Sequence, residues 1–174
     1  ITVLIGCNGC GKTTLLKMIK QLLMDKKIPC ISFDNVSEGG IHVRSRAVAH
    51  NDFDFLAASV CSSEGENIIM NMGTIAYSIG NAIRNKYYHA SEIWILLDAI
   101  DSGLSIDNVI ELKEFFKDVI DTNPDKDIYI LVSANEYELA YDQKCFDVYN
   151  GKYRCIRTYN EYKKFIMRSR ELKD

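Results

Sequence analysis

One stretch constrains this chain more than any other. From Gly6 to Thr13 it reads Gly6-Cys7-Asn8-Gly9-Cys10-Gly11-Lys12-Thr13, a G-x-x-x-x-G-K-[ST] pattern, with Thr14 next. Thr2–Ile5 ahead of it are strand-favouring or apolar. Leu15, Leu16, Met18, Ile19, Leu22 and Leu23 behind it recur at helical spacing. A glycine-rich turn between a strand and a helix is the context in which this pattern cradles phosphate. Glycines let successive backbone N–H groups turn inward on a phosphate chain, and the helix N-terminus adds partial positive charge. The expected cradle is Asn8, Gly9, Cys10, Gly11, Lys12, Thr13 and Thr14. Lys12 is expected to reach the β- and γ-phosphates and the Thr13 hydroxyl to hold Mg²⁺.

The rest of the chain alternates strands with helices. The first helix, 12–27, is predicted to stop near Ile28-Pro29, because the residue before proline disfavours helical geometry. Cys30–Asp34 reads as a short buried strand. Residues 35–61 have no clean period and suggest an irregular lobe. Ser62 or Ser63 then caps a helical pattern running from Ile68 through Ile69, Met72, Ile75, Ala76 and Ile79 to Ile83. Glu92–Leu97 reads as a buried strand ending in Asp98. A helix over 106–122 turns Val109, Leu112, Phe116, Val119 and Ile120 inward and ends at Asn123-Pro124. Asp127–Ala134 is another buried strand, and a short helix follows near Tyr137–Tyr141. Cys145–Tyr149 and Tyr153–Arg157 flank Asn150-Gly151, a two-residue hairpin signal. Thr158-Tyr159-Asn160-Glu161 is a capping box for the last helix.

This order predicts an α/β fold with a mainly parallel sheet flanked by helices, closed by a C-terminal hairpin and helix. At 174 residues one domain over 1–174 is expected. Residues 35–90 would be its irregular and helical lobe, and 145–174 its hairpin and basic helix. The chain opens at Ile1 already inside a strand, so one or two strands are expected upstream.

Composition narrows the classes of function. No apolar run approaches the ~20 residues of a membrane-spanning helix. Six cysteines are scattered, and Cys7 and Cys10, the one C-x-x-C pair, lie inside the phosphate loop. A zinc ribbon needs a second close pair, so reduced thiols in a cytoplasmic protein are expected. His42, His50 and His89 have no ligand spacing. Net charge is −3, yet residues 151–174 hold eight Lys/Arg against three Asp/Glu. Such a tail is most often a solvated helix face; the functional alternative is a DNA or protein partner on the basic C-terminal helix.

A second constellation gives the loop its setting. Ile93-Trp94-Ile95-Leu96-Leu97-Asp98 is an apolar strand ending in a carboxylate suited to Mg²⁺, and Asp101-Ser102-Gly103-Leu104-Ser105 follows it. With the loop, these segments resemble ABC-type ATPase heads of the P-loop NTPase fold, and especially the compact SMC/RecF/OLD-like ATP-binding proteins of bacteria and phages. Gly6–Thr14 is similar to their GxNGxGKTT loop (Walker A). Ser63-Glu64-Gly65-Glu66 looks like the core of their signature motif. Ile95–Ser105 resembles their LLLDEPDSGLS segment (Walker B), and Ile130–Asn135 looks like the strand leading to their switch histidine.

The resemblance implies ATP and Mg²⁺ as cofactors, with Thr13 and Asp98 holding the metal. It implies a homodimer that forms around ATP, in which Ser63 and the N–H groups near Gly65 contact the γ-phosphate bound by the other copy. Lys12, Asp98, Asp101 and Asn135 would be the catalytic set, and adenine would stack on residues upstream of Ile1. The chain also departs from the pattern. Ala99 stands where the family has its catalytic glutamate, and Asn135 where it has the switch histidine. No glutamine follows strand 30–34, so Asp34 or Asn35 would serve there. Only 50 residues separate Lys12 from Ser63, which leaves no room for long coiled-coil arms. Two functions follow: a slow ATPase, with Asp101 a candidate to position water but better suited to the dimer seam, or a non-hydrolysing ATP-gated switch. A small-molecule kinase ranks third, because no lid with paired arginines is visible; Arg44 and Arg46 are its only candidates.

Overall fold

The computed structural model describes residues 1–34, 73, 75–102 and 104–172. The described elements are β1 (Thr2–Ile5), α1 (Lys12–Asp25), β2 (Cys30–Asp34), α2 (residues 75–81, continuing as the π-helical turn Ala82–Lys86), β3 (Glu92–Asp98), α3 (Ile106–Asp121), β4 (Asp127–Ser133), α4 (Tyr137–Ala140), β5 (Lys144–Asp147), β6 (Lys152–Cys155) and α5 (Tyr159–Glu171). Six strands form one sheet in the order β2-β3-β4-β1-β5-β6. Every neighbouring pair is parallel except β5 with β6. This is the mainly parallel, helix-flanked α/β sheet that the alternation of strands and helices predicts.

Period-two alternation sorts the strand residues onto two faces. Val3, Ile5, Ile93, Ile95, Leu97, Ile130 and Val132 belong to the larger core, with Ile79 and Ile83 of α2, Val109, Leu112 and Phe116 of α3, and Tyr162 and Phe165 of α5. Leu4 and Leu96 point the other way and meet Leu16 and Leu23 of α1. Each such side chain contributes roughly 1.5–3 kcal/mol when fully buried. The same alternation continues past the apolar runs. Asp98 follows Leu97 and Ser133 follows Val132, so both fall on the face that carries α1. Leu97 and Val132 are register partners, which places Asp98 and Ser133 side by side at the strand ends.

Some expectations shift. β2 is an outer strand of the described sheet, and only Ile31 of its five residues is buried. α1 is shorter than expected, because Lys26 closes it and Lys27 takes a left-handed φ of 57° before Ile28-Pro29. The hairpin is not a two-residue turn. Asp147 pairs with Lys152, so residues 148–151 form a four-residue loop. The cause is the buried Asp147 carboxylate, which accepts from the N–H groups of Tyr149 (3.1 Å) and Asn150 (3.2 Å) and pairs with Arg154 at 3.0 Å. Gly151 then absorbs the left-handed turn at φ 65°. The capping box of α5 is complete: Glu161 N–H donates to Thr158 Oγ1 at 3.2 Å, and Thr158 N–H donates to the Glu161 carboxylate at 3.1 Å. Ser62, Ser63 and Gly65, with most of the 35–90 lobe, lie outside the described residues.

Candidate functional site

The loop between β1 and α1 is shaped by three glycines with positive φ: Gly6 at 152°, Gly9 at 77° and Gly11 at 102°. At Gly6 a side chain is disfavoured on two counts, because besides the positive φ a Cβ there would crowd Cys10 Sγ. The left-handed Gly11 is the N-cap of α1; no side chain caps the helix and no acidic residue sits in its first turn. A first turn capped by no side chain leaves its N–H groups to a ligand, and an anion suits them best. Asn8, Gly9, Thr13 and Thr14 are exposed on this loop and turn. Cys10 is half-buried, and burial holds its thiol above the ordinary value, so it stays neutral beside a phosphate at pH 7.

Lys12 is only 8% exposed. Its ammonium folds back along the loop and donates to the carbonyls of Gly6 at 2.8 Å and Cys7 at 3.5 Å. A buried ammonium needs such partners, and a phosphate oxygen would be a stronger one than a neutral carbonyl. The loop is therefore closed around its own cation.

The ends of β3 and β4 form the other half. Ser133 Oγ donates to Asp98 Oδ1 at 2.6 Å and accepts from the Ala99 N–H at 2.7 Å. One hydroxyl thus fixes both the carboxylate and the turn that follows it. Ala99 takes a φ of 52°, a left-handed conformation that costs a residue with a Cβ roughly 1 kcal/mol. Asp34 stands in register beside Asp98 on β2, while Asn35 lies outside the described residues.

Asp101 is fully buried. Its Oδ2 accepts from the N–H groups of Asn135 (2.7 Å) and Glu136 (2.8 Å), and its Oδ1 from Asn135 Nδ2 at 3.4 Å. Burial raises its pKa, and these N–H groups oppose the shift. Asn135 Nδ2 also donates to Ser102 Oγ at 2.9 Å. Asp101 is therefore engaged in holding the start of the segment after β4, rather than facing an open cleft. Gly103 lies outside the described residues.

The structure thus brings together the loop, Lys12, Asp98 and Asn135 along one edge of the parallel sheet. Three participants escaped sequence reasoning. Ser133 holds Asp98. Ser169 of α5 accepts the Cys7 N–H at 3.1 Å, and the Tyr162 hydroxyl donates to the Asn135 carbonyl at 3.0 Å. Burial raises the Tyr162 pKa, helped by Asp101, so the hydroxyl remains a donor. Tyr162 and Ser169 are seven residues apart, two turns on the inner face of α5, and only that spacing hints that both face inward.

Thr13 and Asp98 offer oxygen donors alone, which fits a hard cation such as Mg²⁺. Among the described residues no three His, Cys, Asp or Glu side chains gather into a metal-ion set. Mg²⁺ commonly binds one or two protein oxygens and takes the rest from phosphates and water, so this donor set is adequate for a nucleotide-borne ion. Also among the described residues, no helix is long and apolar enough to cross a membrane.

No curated protein matches the chain. The family model of the ABC transporter matches residues 1–114, from β1 through the loop and Asp98 into α3. That match covers well over half of the chain and includes the phosphate loop and the end of β3, while β4, Ser133 and Asn135 lie beyond it. The chain belongs to the ABC transporter family, and it is an ATP-binding, ABC-type P-loop ATPase domain.

Proposed function

We propose that residues 1–174 form one ATP-binding head, of the compact SMC/RecF/OLD-like kind and cytoplasmic, that pairs with a second copy around Mg-ATP and hydrolyses it slowly. The observation that carries this reading is Ala99. It follows the Asp98 strand, where a water-polarising carboxylate would act, and its N–H is tied to Ser133. An alanine there leaves binding intact and removes the group that orients water. On nucleotide binding, Lys12 exchanges the Gly6 and Cys7 carbonyls for β- and γ-phosphate oxygens. The N–H groups of Gly9–Thr14 take the remaining phosphate charge. Thr13 and Asp98 would hold Mg²⁺, whose charge neutralises the phosphates when bound. Ser133 keeps Asp98 aimed at that place, and the Asn135 amide, which donates to Asp101 and Ser102, would release one of those bonds to donate toward the γ-phosphate.

Ala99→Glu tests this directly. Water-positioning groups contribute ~10²–10⁴-fold to rate, so steady-state turnover should rise at least about tenfold, or ~1.4 kcal/mol of barrier. The gain should disappear when Lys12→Ala is added. A native protein that already turns over several times per second would overturn the slow-ATPase reading.

A second reading has its own support. Asp101, the carboxylate best placed in sequence to replace the missing one, is buried and spent on Asn135 and Glu136. That favours a non-hydrolysing switch that pairs or binds a partner on ATP binding alone. Light scattering with a non-hydrolysable ATP analogue tests pairing, which Ser63→Arg should abolish by driving a bulky cation into the facing site. A partner surface is supported by a groove of about 530 Å³ between β6 and α5, lined by Lys152, Arg154, Lys164 and Arg168. Duplex DNA is the occupant its charge suits. Binding should weaken steeply with salt as counterions are released, and salt-independent capture would point to a protein instead.

A further inference from the structure

The C-terminal helix α5 touches the site at two separate points. At Ser169 it accepts the N–H of Cys7, the second residue of the phosphate loop, at 3.1 Å. Seven residues earlier, the Tyr162 hydroxyl donates to the carbonyl of Asn135 at 3.0 Å. These two bonds span the gap between the loop and the end of β4, so α5 closes the site along one side. Both anchors are buried, at 3% exposure for Ser169 and 7% for Tyr162, which fixes the rotation of the helix about its axis.

That rotation has a consequence for charge. Tyr162, Ile166 and Arg170 are four residues apart and form a single stripe on α5. The stripe lines a cavity of about 590 Å³ whose other walls include Asn8 of the loop, Asn135 and Glu136. Among the described residues, Arg170 is the one cationic side chain lining it. The helix end also suits a cation, because Arg170 lies in the last turn, where the partial charge of the helix is negative. Of the other basic residues of the helix, Lys164 and Arg168 face the groove toward β6, and Lys163 lines neither cavity. Among the described residues, the basic side chains of α5 thus do not form one continuous patch.

We infer that Arg170 is a nucleotide-binding residue that reads the terminal phosphate of ATP from the C-terminal helix, supplying the charge that Asn135 lacks. The inference rests on the proposal that this loop binds ATP. Asn135 carries no charge, and its amide already donates to Asp101 and Ser102. A guanidinium presents two parallel N–H groups that match the oxygens of a terminal phosphate. Arg170 lines the pocket beside Asn8 and Asn135, the residue that the proposal above sets toward the γ-phosphate, whereas Lys12 and the N–H groups of Gly9–Thr14 serve the rest of the phosphate chain. The charge therefore discriminates ATP from ADP, rather than strengthening nucleotide binding in general.

Calorimetry with Mg-ATP and Mg-ADP on the full chain separates the outcomes. Arg170→Ala should weaken ATP by about tenfold, the scale of one charge-assisted hydrogen bond, and leave ADP within about twofold. Arg170→Lys should recover part of the ATP affinity, since the charge returns without the planar fork. Glu136→Gln, which removes the carboxylate lining the same cavity, should leave ATP affinity unchanged or higher. Equal losses for ATP and ADP, no loss for either, or a matching loss in Glu136→Gln would overturn the inference. Lys12→Ala in the same titrations keeps the two proposals apart. If Lys12→Ala weakens both nucleotides and Arg170→Ala weakens neither, only the role of Arg170 falls. If the native chain binds neither nucleotide, the ATP reading falls and takes this one with it.

Discussion

The loop after β1 and the turn after β3 lie at the same edge of one parallel sheet, but they are built for different purposes. In the loop, three glycines hold the backbone open and the helix start carries no side-chain cap. Its cation rests on two carbonyls that a phosphate can displace. In the turn, the polar groups are already matched to one another: Asp98 to Ser133, Ala99 N–H to Ser133, and Asp101 to Asn135 and Glu136. The first region keeps its polar groups exchangeable, and the second uses them for internal rigidity. Among the described residues, the loop keeps groups that can hold an anion, and the turn keeps its carboxylates paired.

The contrast can be broken from the rigid side first. Asp101→Ala strips the acceptor from two backbone N–H groups beside a fully buried position. A group left unpaired away from water costs ~1–3 kcal/mol; Asn135 is half-buried and Glu136 exposed, so a loss of about 2–3 kcal/mol in chemical denaturation is expected. A change under about 0.5 kcal/mol would show that the turn is not the rigid half. Asp101 also gives this region a pH signature. Its folded pKa is raised above the unfolded value of 3.8, mainly by burial, so its protonated form is favoured by folding. Stability should therefore decline as pH rises from the unfolded value through the raised one, and Asp101→Asn should remove that slope.

The exchangeable side comes next in size. Lys12→Ala removes the cation and should weaken Mg-ATP binding by roughly 2 kcal/mol, or about thirtyfold. Unchanged affinity by calorimetry would remove the functional half of the comparison. The smallest effect sharpens it. Ala99→Gly relieves the left-handed strain and should stabilise the fold by about 0.5–1 kcal/mol. That is a rise of ~1–4 °C in melting temperature for a chain of this length. Turnover should not change, because no carboxylate is added. A gain in turnover with Ala99→Gly would mean that flexibility, rather than a missing base, limits the reaction.

Local sequence was a good guide wherever one residue decides one conformation. Thr158 and Glu161 form the expected capping box because its two hydrogen bonds join residues three apart. Phe116 and Leu112 turn inward because a helix face follows a fixed period. The signals failed where a distant partner intervened. Asn150-Gly151 suggested a two-residue turn, but the carboxylate of Asp147 drew the chain into a longer loop. Asp101 reads in the sequence as a residue of the dimer seam or a candidate to position water; only the arrival of Asn135 and Glu136 from the end of β4, 34 and 35 residues away, accounts for its capture.

The sequence by itself determined the phosphate loop, the strand that presents Asp98, the parallel α/β order and the absence of a carboxylate at position 99. Those properties depend on glycine conformations, apolar periodicity and residue identity, all of which are local. Tertiary structure alone decided which polar groups are spent and which remain exchangeable. Sheet register sets Ser133 against Asp98, and the burial of Tyr162 and Ser169 brings α5 against the loop and Asn135. No local rule encodes those contacts, because a hydrogen bond between residues 27 or 162 positions apart forms only once the core has fixed both strands and helices in place.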